Sequence, residues 1–405
     1  MGSTLRILHV IPSISMAHGG PSGAVRTMMT ALAQRGIRVD VATTDDNGRN
    51  RNSDLPHDAF LEFEGQRIQY FPRQTRRYCT SYPLLRWLRR HARDYDLVQT
   101  HGLFCLPPVA AAWCAREAGV PYVMAPHGIL DSWGMSHKSA LIKAASLRLV
   151  EGPLLCGAAA VHFMSELESA RAAQLALPIR PVVLPLGFDF KGLTPSDQAA
   201  VQAAVVDELD ADGMQVILYV ARIHPVKRVD VLLRAFSMLE PHESTVLAIA
   251  GDGEPALLAD LKRLASDLGL SSRVRWLGFV EGARKSALYA RADIFVLPSA
   301  SENFGVAIVE AMHAGLPVVV TQGAGLASLV ERARAGLVTD ESIDGLRAAL
   351  ARLLADEHLR RAMGQEGRQV VVRELSLDVF GARMETFYQS VLAGTPISLP
   401  LASPS

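Results

Sequence analysis

Short apolar runs separated by segments of helical period recur along the whole chain, and they constrain its fold more than any other feature. In the first half the runs are Arg6–Ile11, Val39–Thr43, Leu97–Thr100 and Tyr122–Ala125. Helical segments stand between them at Val25–Gln34, stopped by Arg35-Gly36, and at Val109–Ala118, closed by Gly119. The second half repeats the alternation at Gln215–Val220, Val246–Ala250, Val274–Leu277, Ile294–Leu297 and Pro317–Val320. Strand, helix and strand joined by short connections imply a doubly wound parallel sheet. At 405 residues the chain exceeds what one hydrophobic core usually supports, so two such α/β domains are expected. The stretch Pro178–Pro195 holds Pro181, Pro185, Gly187, Gly192 and Pro195, a density of breakers suited to an interdomain linker. A last helix, Val379–Leu392, follows the second domain, and the residues after Gly394 are expected to fray.

In such sheets ligands bind beyond the carboxyl ends of the strands. There the second half places Ser301-Glu302-Asn303-Phe304-Gly305 and the helix reading Val306 to Met312, with Glu302 on the loop and Glu310 about two turns along. The amides of Asn303, Phe304 and Gly305 at the helix start offer a site for a phosphate. Each carboxylate alone reads equally well as a solvated surface group. A second loop, after Leu218–Val220, carries Arg222 and Lys227, two cations placed to neutralise a diphosphate or, singly, to face solvent. In the first half the glycine-rich loop Ile14–Gly23 contains Gly19 and Gly20 but no Walker lysine and no dinucleotide spacing, which disfavours ATP and NAD. His127, flanked by Gly128 just after a strand, can donate a hydrogen bond to a sugar hydroxyl or serve the structure alone. His101 is open between the same two readings. Asp131 and Trp133 are candidates to shape an acceptor pocket.

The ordered set Arg222, Lys227, Glu302 and Glu310, with the strand and turn Val274–Val280, resembles the family-four retaining glycosyltransferases of GT-B fold from near Leu5 to near Ala393. That resemblance implies two Rossmann-like domains facing across a cleft. It implies an acceptor-side domain over 1–188, joined by a crossing helix over 376–394, then a nucleotide-sugar domain over 189–375 and a tail over 395–405. The activity implied is transfer of a hexosyl group from a UDP- or GDP-sugar to a saccharide or lipid-linked acceptor, serving cell-surface polysaccharide or glycolipid synthesis. By the same resemblance Glu310 holds the ribose hydroxyls and Glu302 those of the transferred sugar. Arg222, Lys227 and the amides at Phe304 and Gly305 bind the leaving diphosphate, and Phe279 and Val280 hold the base partly through backbone atoms. Gly19, Gly20 and His127 attend the reacting sugar. Other readings of the same set are a GT-B nucleotide-sugar epimerase and a non-catalytic nucleotide-sugar-binding protein.

Charge and composition narrow the partners. Through Phe190 the chain carries 20 Lys and Arg against 15 Asp and Glu, and the remainder carries 21 against 26. A basic first half and acidic second half argue against nucleic acid and permit a first domain that faces an anionic acceptor or membrane. The segment Pro83–Arg93, with Arg86, Arg89 and Arg90 beside Leu84, Leu85, Trp87 and Leu88, reads either as a helix for an anionic bilayer surface or as a surface helix with its leucines on the sheet. Four scattered cysteines suit a reduced, cytoplasmic setting, and no signal peptide or membrane span is expected. Asp94-Tyr95-Asp96 and Asp210-Ala211-Asp212 mimic a metal-binding string, yet with two cations at hand for the diphosphate no metal or other cofactor is expected.

Overall fold

A computed structural model describes residues 5–15, 18–48, 50–52, 54–57, 59–130, 140–190, 204–205, 208–239 and 244–397. The chain divides into two compact units, one formed by Met1–Phe188 with Leu375–Ser405 and the other by Asp189–Glu374.

The first unit runs β1 (Arg6–Val10), α1 (Gly20–Ala33), β2 (Arg38–Thr44), the short hairpin β3 (Asp46–Asn47) and β4 (Asn50–Arg51), β5 (Phe60–Phe63), β6 (Gln66–Phe71), α2 (Tyr82–His91), β7 (Leu97–His101), α3 (Leu106–Ala118) and β8 (Tyr122–Ala125). It continues through α4 (Ala140–Ser146), α5 (Gly152–Gly157), β9 (Ala160–Phe163), α6 (Glu166–Ala173) and β10 (Pro181–Val183). Among the described residues its main sheet has the order β10-β9-β8-β7-β1-β2-β6-β5, parallel except for the β5–β6 hairpin at one edge. The four central strands are almost wholly buried, as strands covered by helices on both faces must be.

The second unit runs β11 (Gln215–Val220), α7 (Val229–Ser237), β12 (Thr245–Ala250), α8 (Pro255–Asp267), β13 (Val274–Gly278), α9 (Gly282–Arg291), β14 (Ile294–Leu297), α10 (Val306–His313), β15 (Val318–Thr321), α11 (Ala327–Arg332), β16 (Gly336–Thr339), α12 (Ile343–Ala355) and α13 (Glu357–Leu375). Its sheet order, β13-β12-β11-β14-β15-β16, is parallel throughout and reverses direction between β11 and β14. The last helix, α14 (Leu377–Ala393), packs on α1 of the first unit with Gly381 close to Ala31, buries Phe380, Met384, Phe387 and Tyr388, and pairs Glu385 with Arg35.

Several elements differ from the sequence expectation. α1 and α3 begin earlier than their periodicity suggests, because Pro21, Pro107 and Pro108 occupy first-turn positions whose N–H groups lack intrahelical acceptors anyway. Pro181–Val183, expected in the linker, is an edge strand paired with β9, a place where a missing proline N–H is tolerated. α10 starts at Val306 with Gly305 as its N-cap, so Asn303–Gly305 form the turn before the helix, and Glu310 lies little more than one turn in rather than two. The first-turn amides are accordingly those of Val306 and Ala307, while Ile308 N already bonds to Gly305 O at 2.9 Å.

Candidate functional site

The reversal of strand order between β11 and β14 leaves a crevice at their carboxyl ends, and the loops after these two strands carry Arg222–Lys227 and Ser299–Gly305. Backbone bonds lock the loops together. Ala300 N donates to Val226 O at 2.9 Å, Glu302 N to Gly323 O at 2.9 Å, and Ile223 N to Asp252 O at 2.8 Å. The packing admits no side chain at its tightest points: a Cβ on Gly251 would lie 1.9 Å from Ala221 O, and one on Gly323 would lie 2.2 Å from Ala300 O. Gly305 adopts φ +97°, and a Cβ there would meet Ile308 Cδ1 at 2.6 Å, so glycine alone permits the turn that presents Glu302 beside the helix start.

On this frame the Lys227 ammonium forms an ion pair with Glu302. Glu310, 9% exposed, receives Lys285 Nζ at 2.6 Å on Oε1 and the Tyr289 hydroxyl at 2.9 Å on Oε2. Burial, together with the neighbouring Glu310 carboxylate, pushes the Tyr289 phenol well above its ordinary value and keeps it a donor. Lys285 and Tyr289 are one turn apart on α9 and were missed in the sequence. Their only signal is the four-residue spacing that puts them on one helix face. Arg222 is exposed at the loop tip, with its carbonyl 3.4 Å from the Tyr219 hydroxyl. Phe304 is buried and shapes the turn, whereas Phe279 is 61% exposed and Val280 buried. The Phe279 carbonyl accepts from Arg284 Nη1 at 3.3 Å.

In the first unit the equivalent reversal lies between β1 and β7. Gly19 is the N-cap of α1 at φ +71°, and a Cβ on Gly19 or Gly20 would meet nothing within 4 Å, so the space above this loop is open. His127 follows β8 in a left-handed turn, φ +57°. The buried Glu168 carboxylate holds that turn by accepting Gly128 N at 2.5 Å and Met164 N at 2.8 Å. Behind His127 the structure brings together residues that the sequence kept far apart. His127 Nε2 is 2.9 Å from His101 Nδ1, and His101 Nε2 is 3.1 Å from His9 Nδ1. His9 Nε2 is 3.0 Å from the Tyr388 hydroxyl, which donates to Gln99 Oε1 at 2.7 Å. Gln99 Nε2 is 3.4 Å from His162 Nδ1, and His162 Nε2 is 2.9 Å from Leu184 O. Burial holds all four imidazoles neutral: His9 and His127 are lowered to about 3, His162 to about 4, and His101 well below the usual range. His101 is thus a buried link rather than a surface group.

The remaining candidates resolve more plainly. Asp96 accepts Arg6 N at 2.8 Å, Asp94 lies 2.9 Å from His91, and Asp210 lies 3.4 Å from Arg275, so three carboxylates of the two metal-like strings take protein partners. Asp131 and Trp133 fall outside the described residues. Leu84 and Leu88 of α2 are buried, and Trp87 packs against Phe60, Phe71 and Tyr95. What faces outward is Tyr82, Arg86, Arg89 and Arg90.

Residues 19–187 match the family described as Glycosyl transferase 4-like domain, and residues 205–370 match Glycosyl transferases group 1. The D-inositol 3-phosphate glycosyltransferase 2 of Catenulispora acidiphila is 30% identical over 380 residues, covering 88% of this chain and 86% of its own. The alpha-monoglucosyldiacylglycerol synthase of Streptococcus pneumoniae is 24% identical over 397 residues, covering 95% and 85%. Among solved structures, Anabaena HepE in complex with UDP superposes with a TM-score of 0.77 at 22% identity, covering 95% of this chain and 100% of that one. The likeness extends over both sheets, and the shared architecture is the two-domain GT-B fold.

Proposed function

This chain belongs to the group 1 glycosyl transferases and is a glycosyltransferase of GT-B fold, and from that premise we propose that it moves a hexosyl group from a UDP- or GDP-sugar to a saccharide or lipid-linked acceptor with retention of configuration. The observation that carries this reading is the gathering of Arg222, Lys227 and Glu302 on two loops pinned together at the strand reversal of the second unit, with Glu310 just beyond on α10. Arg222, Lys227 and Lys285 bring cations there that suit a diphosphate. In this structure each carboxylate is already paired. Donor binding therefore exchanges partners: Lys227 turns from Glu302 to the diphosphate, which frees Glu302 to accept hydroxyls of the transferred sugar. Glu310, held by Lys285 and Tyr289, is oriented for the ribose hydroxyls.

Arg222, Lys227 and the amides of the α10 start stabilise the charge that grows on the leaving diphosphate. Such preorganised donors are each worth roughly 2.7–4 kcal/mol of barrier. A same-face attack by the acceptor hydroxyl needs no enzyme carboxylate as nucleophile, and with lysine and arginine neutralising the phosphates we assign no role to a metal or other cofactor. We assign Phe279 and Val280 to holding the base, and Gly19, Gly20 and His127 to the reacting sugar. Incubating the protein with labelled UDP- and GDP-hexoses tests the reading. Transfer to an acceptor, or slow release of the hexose in its absence, is expected from one nucleotide. Epimer formation, or binding without turnover, would refute it.

The acceptor side is inferred from α2. Its Leu84 and Leu88 are inside the fold, and the outward Arg86, Arg89 and Arg90 supply electrostatic attraction as the contact with anionic lipid. Beside them a cavity of about 600 Å³ is lined by Tyr82, Arg86, Trp87, Arg90 and His91 without a carboxylate, which suits an anionic headgroup. No helix among the described residues is long and apolar enough to cross a membrane. We place the protein in the cytoplasm, at the inner face of the plasma membrane. Anionic liposomes should float with the wild-type protein and not with an Arg86, Arg89 and Arg90 charge-reversal variant; capture indifferent to lipid charge would remove the membrane contact.

A further inference from the structure

The hydrogen-bonded chain behind His127 has a direction, and one atom sets it. Leu184 O can only accept, so the neutral His162 must carry its proton on Nε2 and leave Nδ1 bare. Bare Nδ1 accepts from the amide NH2 of Gln99, which turns Gln99 Oε1 toward Tyr388 and makes the phenol its donor. The Tyr388 oxygen then accepts from His9 Nε2–H, His9 Nδ1 accepts from His101 Nε2–H, and His101 Nδ1 accepts from His127 Nε2–H. No carboxylate interrupts this chain, and each imidazole has one proton and one lone pair, so reversing any link would oppose two donors or two acceptors in a buried site.

We propose that this chain, running from Leu184 O through His162, Gln99, Tyr388, His9 and His101, fixes His127 as the Nε2–H tautomer and so presents its Nδ1 lone pair as an acceptor for a substrate hydroxyl. The five intervening side chains are positioning residues, and Tyr388 ties the last helix of the chain to the tautomer of a residue after β8. The expectation from sequence that His127 donates is thereby reversed. Its one ring proton is committed to His101, and the sugar hydroxyl must be the donor. The assignment rests on the reading of His127 as a substrate contact, but the tautomer itself does not.

Long-range 1H–15N NMR of full-length protein labelled with 15N-histidine distinguishes the tautomers directly. His127, His101, His9 and His162 should all be neutral and Nε2-protonated at pH 7. Addition of the accepted UDP- or GDP-hexose should shift His127 Nδ1 most. Tyr388→Phe removes the acceptor for His9 and should convert His127 to a mixture of tautomers. Its kcat should fall roughly tenfold to a hundredfold, the scale of losing an oriented catalytic contact, with KM changed less. A wild-type His127 protonated on Nδ1 would overturn the chain whether or not Tyr388→Phe folds. A correct tautomer untouched by the nucleotide sugar would instead overturn the substrate role of His127 and leave the chain standing.

Discussion

At the carboxyl end of the first sheet four histidines stand in line without charge, while the same end of the second sheet is built from ion pairs between lysine and glutamate. The difference follows solvent. His9, His101 and His162 are 0–1% exposed, and there the cost of burying an imidazolium exceeds any gain from ionising. Side chains of the second group keep contact with water, with Lys285 25% and Glu302 20% exposed, so charges survive and remain free to change partners. The first arrangement suits a site that must hold one tautomer. The second suits one that must accept and release a charged leaving group.

Acid should break this comparison most visibly. His9, His127 and His162 of the first unit bind protons in the unfolded chain near pH 6.5 but in the fold only near 3 or 4, so the unfolded state holds more protons between those values and stability falls as pH falls. Each such histidine contributes a slope on the order of 1 kcal/mol per pH unit through that window. His313 of the second unit is also lowered by burial. Hydrogen exchange followed from pH 7 to pH 4.5 should therefore show amides of β1, β7 and β9 losing protection before those of β11, β12 and β14. The opposite order would contradict the assignment of neutral, buried histidines.

Sequence showed the parts of the molecule that repeat and hid the parts that converge. β1, β2, β7, β8 and β11 to β15 were legible because strands covered by helices read mostly as apolar runs. β5 and β6 do not stand out as apolar runs, since an antiparallel edge hairpin reading Phe-Leu-Glu-Phe and Gln-Arg-Ile-Gln-Tyr-Phe is half polar. β9 is interrupted by His162, β10 is three residues beginning on a proline, and β16 begins on a glycine and is only partly buried. Of the site, Arg222, Lys227 and Glu302 could be named because they fall on loops after legible strands, and Glu310 because it falls on the helix that follows one. Lys285 and Tyr289 could not, because their pairing with Glu310 spans 25 and 21 residues and only the fold supplies it. Tyr388 is the extreme case, 379 residues from His9 and indistinguishable in sequence from any aromatic of an amphipathic helix.

The most direct test concerns the exchangeable pair. Titration calorimetry with UDP and GDP should find one of them bound by the wild-type protein, and Lys227→Met should weaken that nucleotide roughly tenfold to a hundredfold, equivalent to about 1.4–2.7 kcal/mol of lost charge-assisted contact. Arg86→Glu on the first unit should leave the same affinity unchanged. Equal binding of the diphosphate by wild type and Lys227→Met would contradict the account, because the lysine would then have no partner to exchange for Glu302.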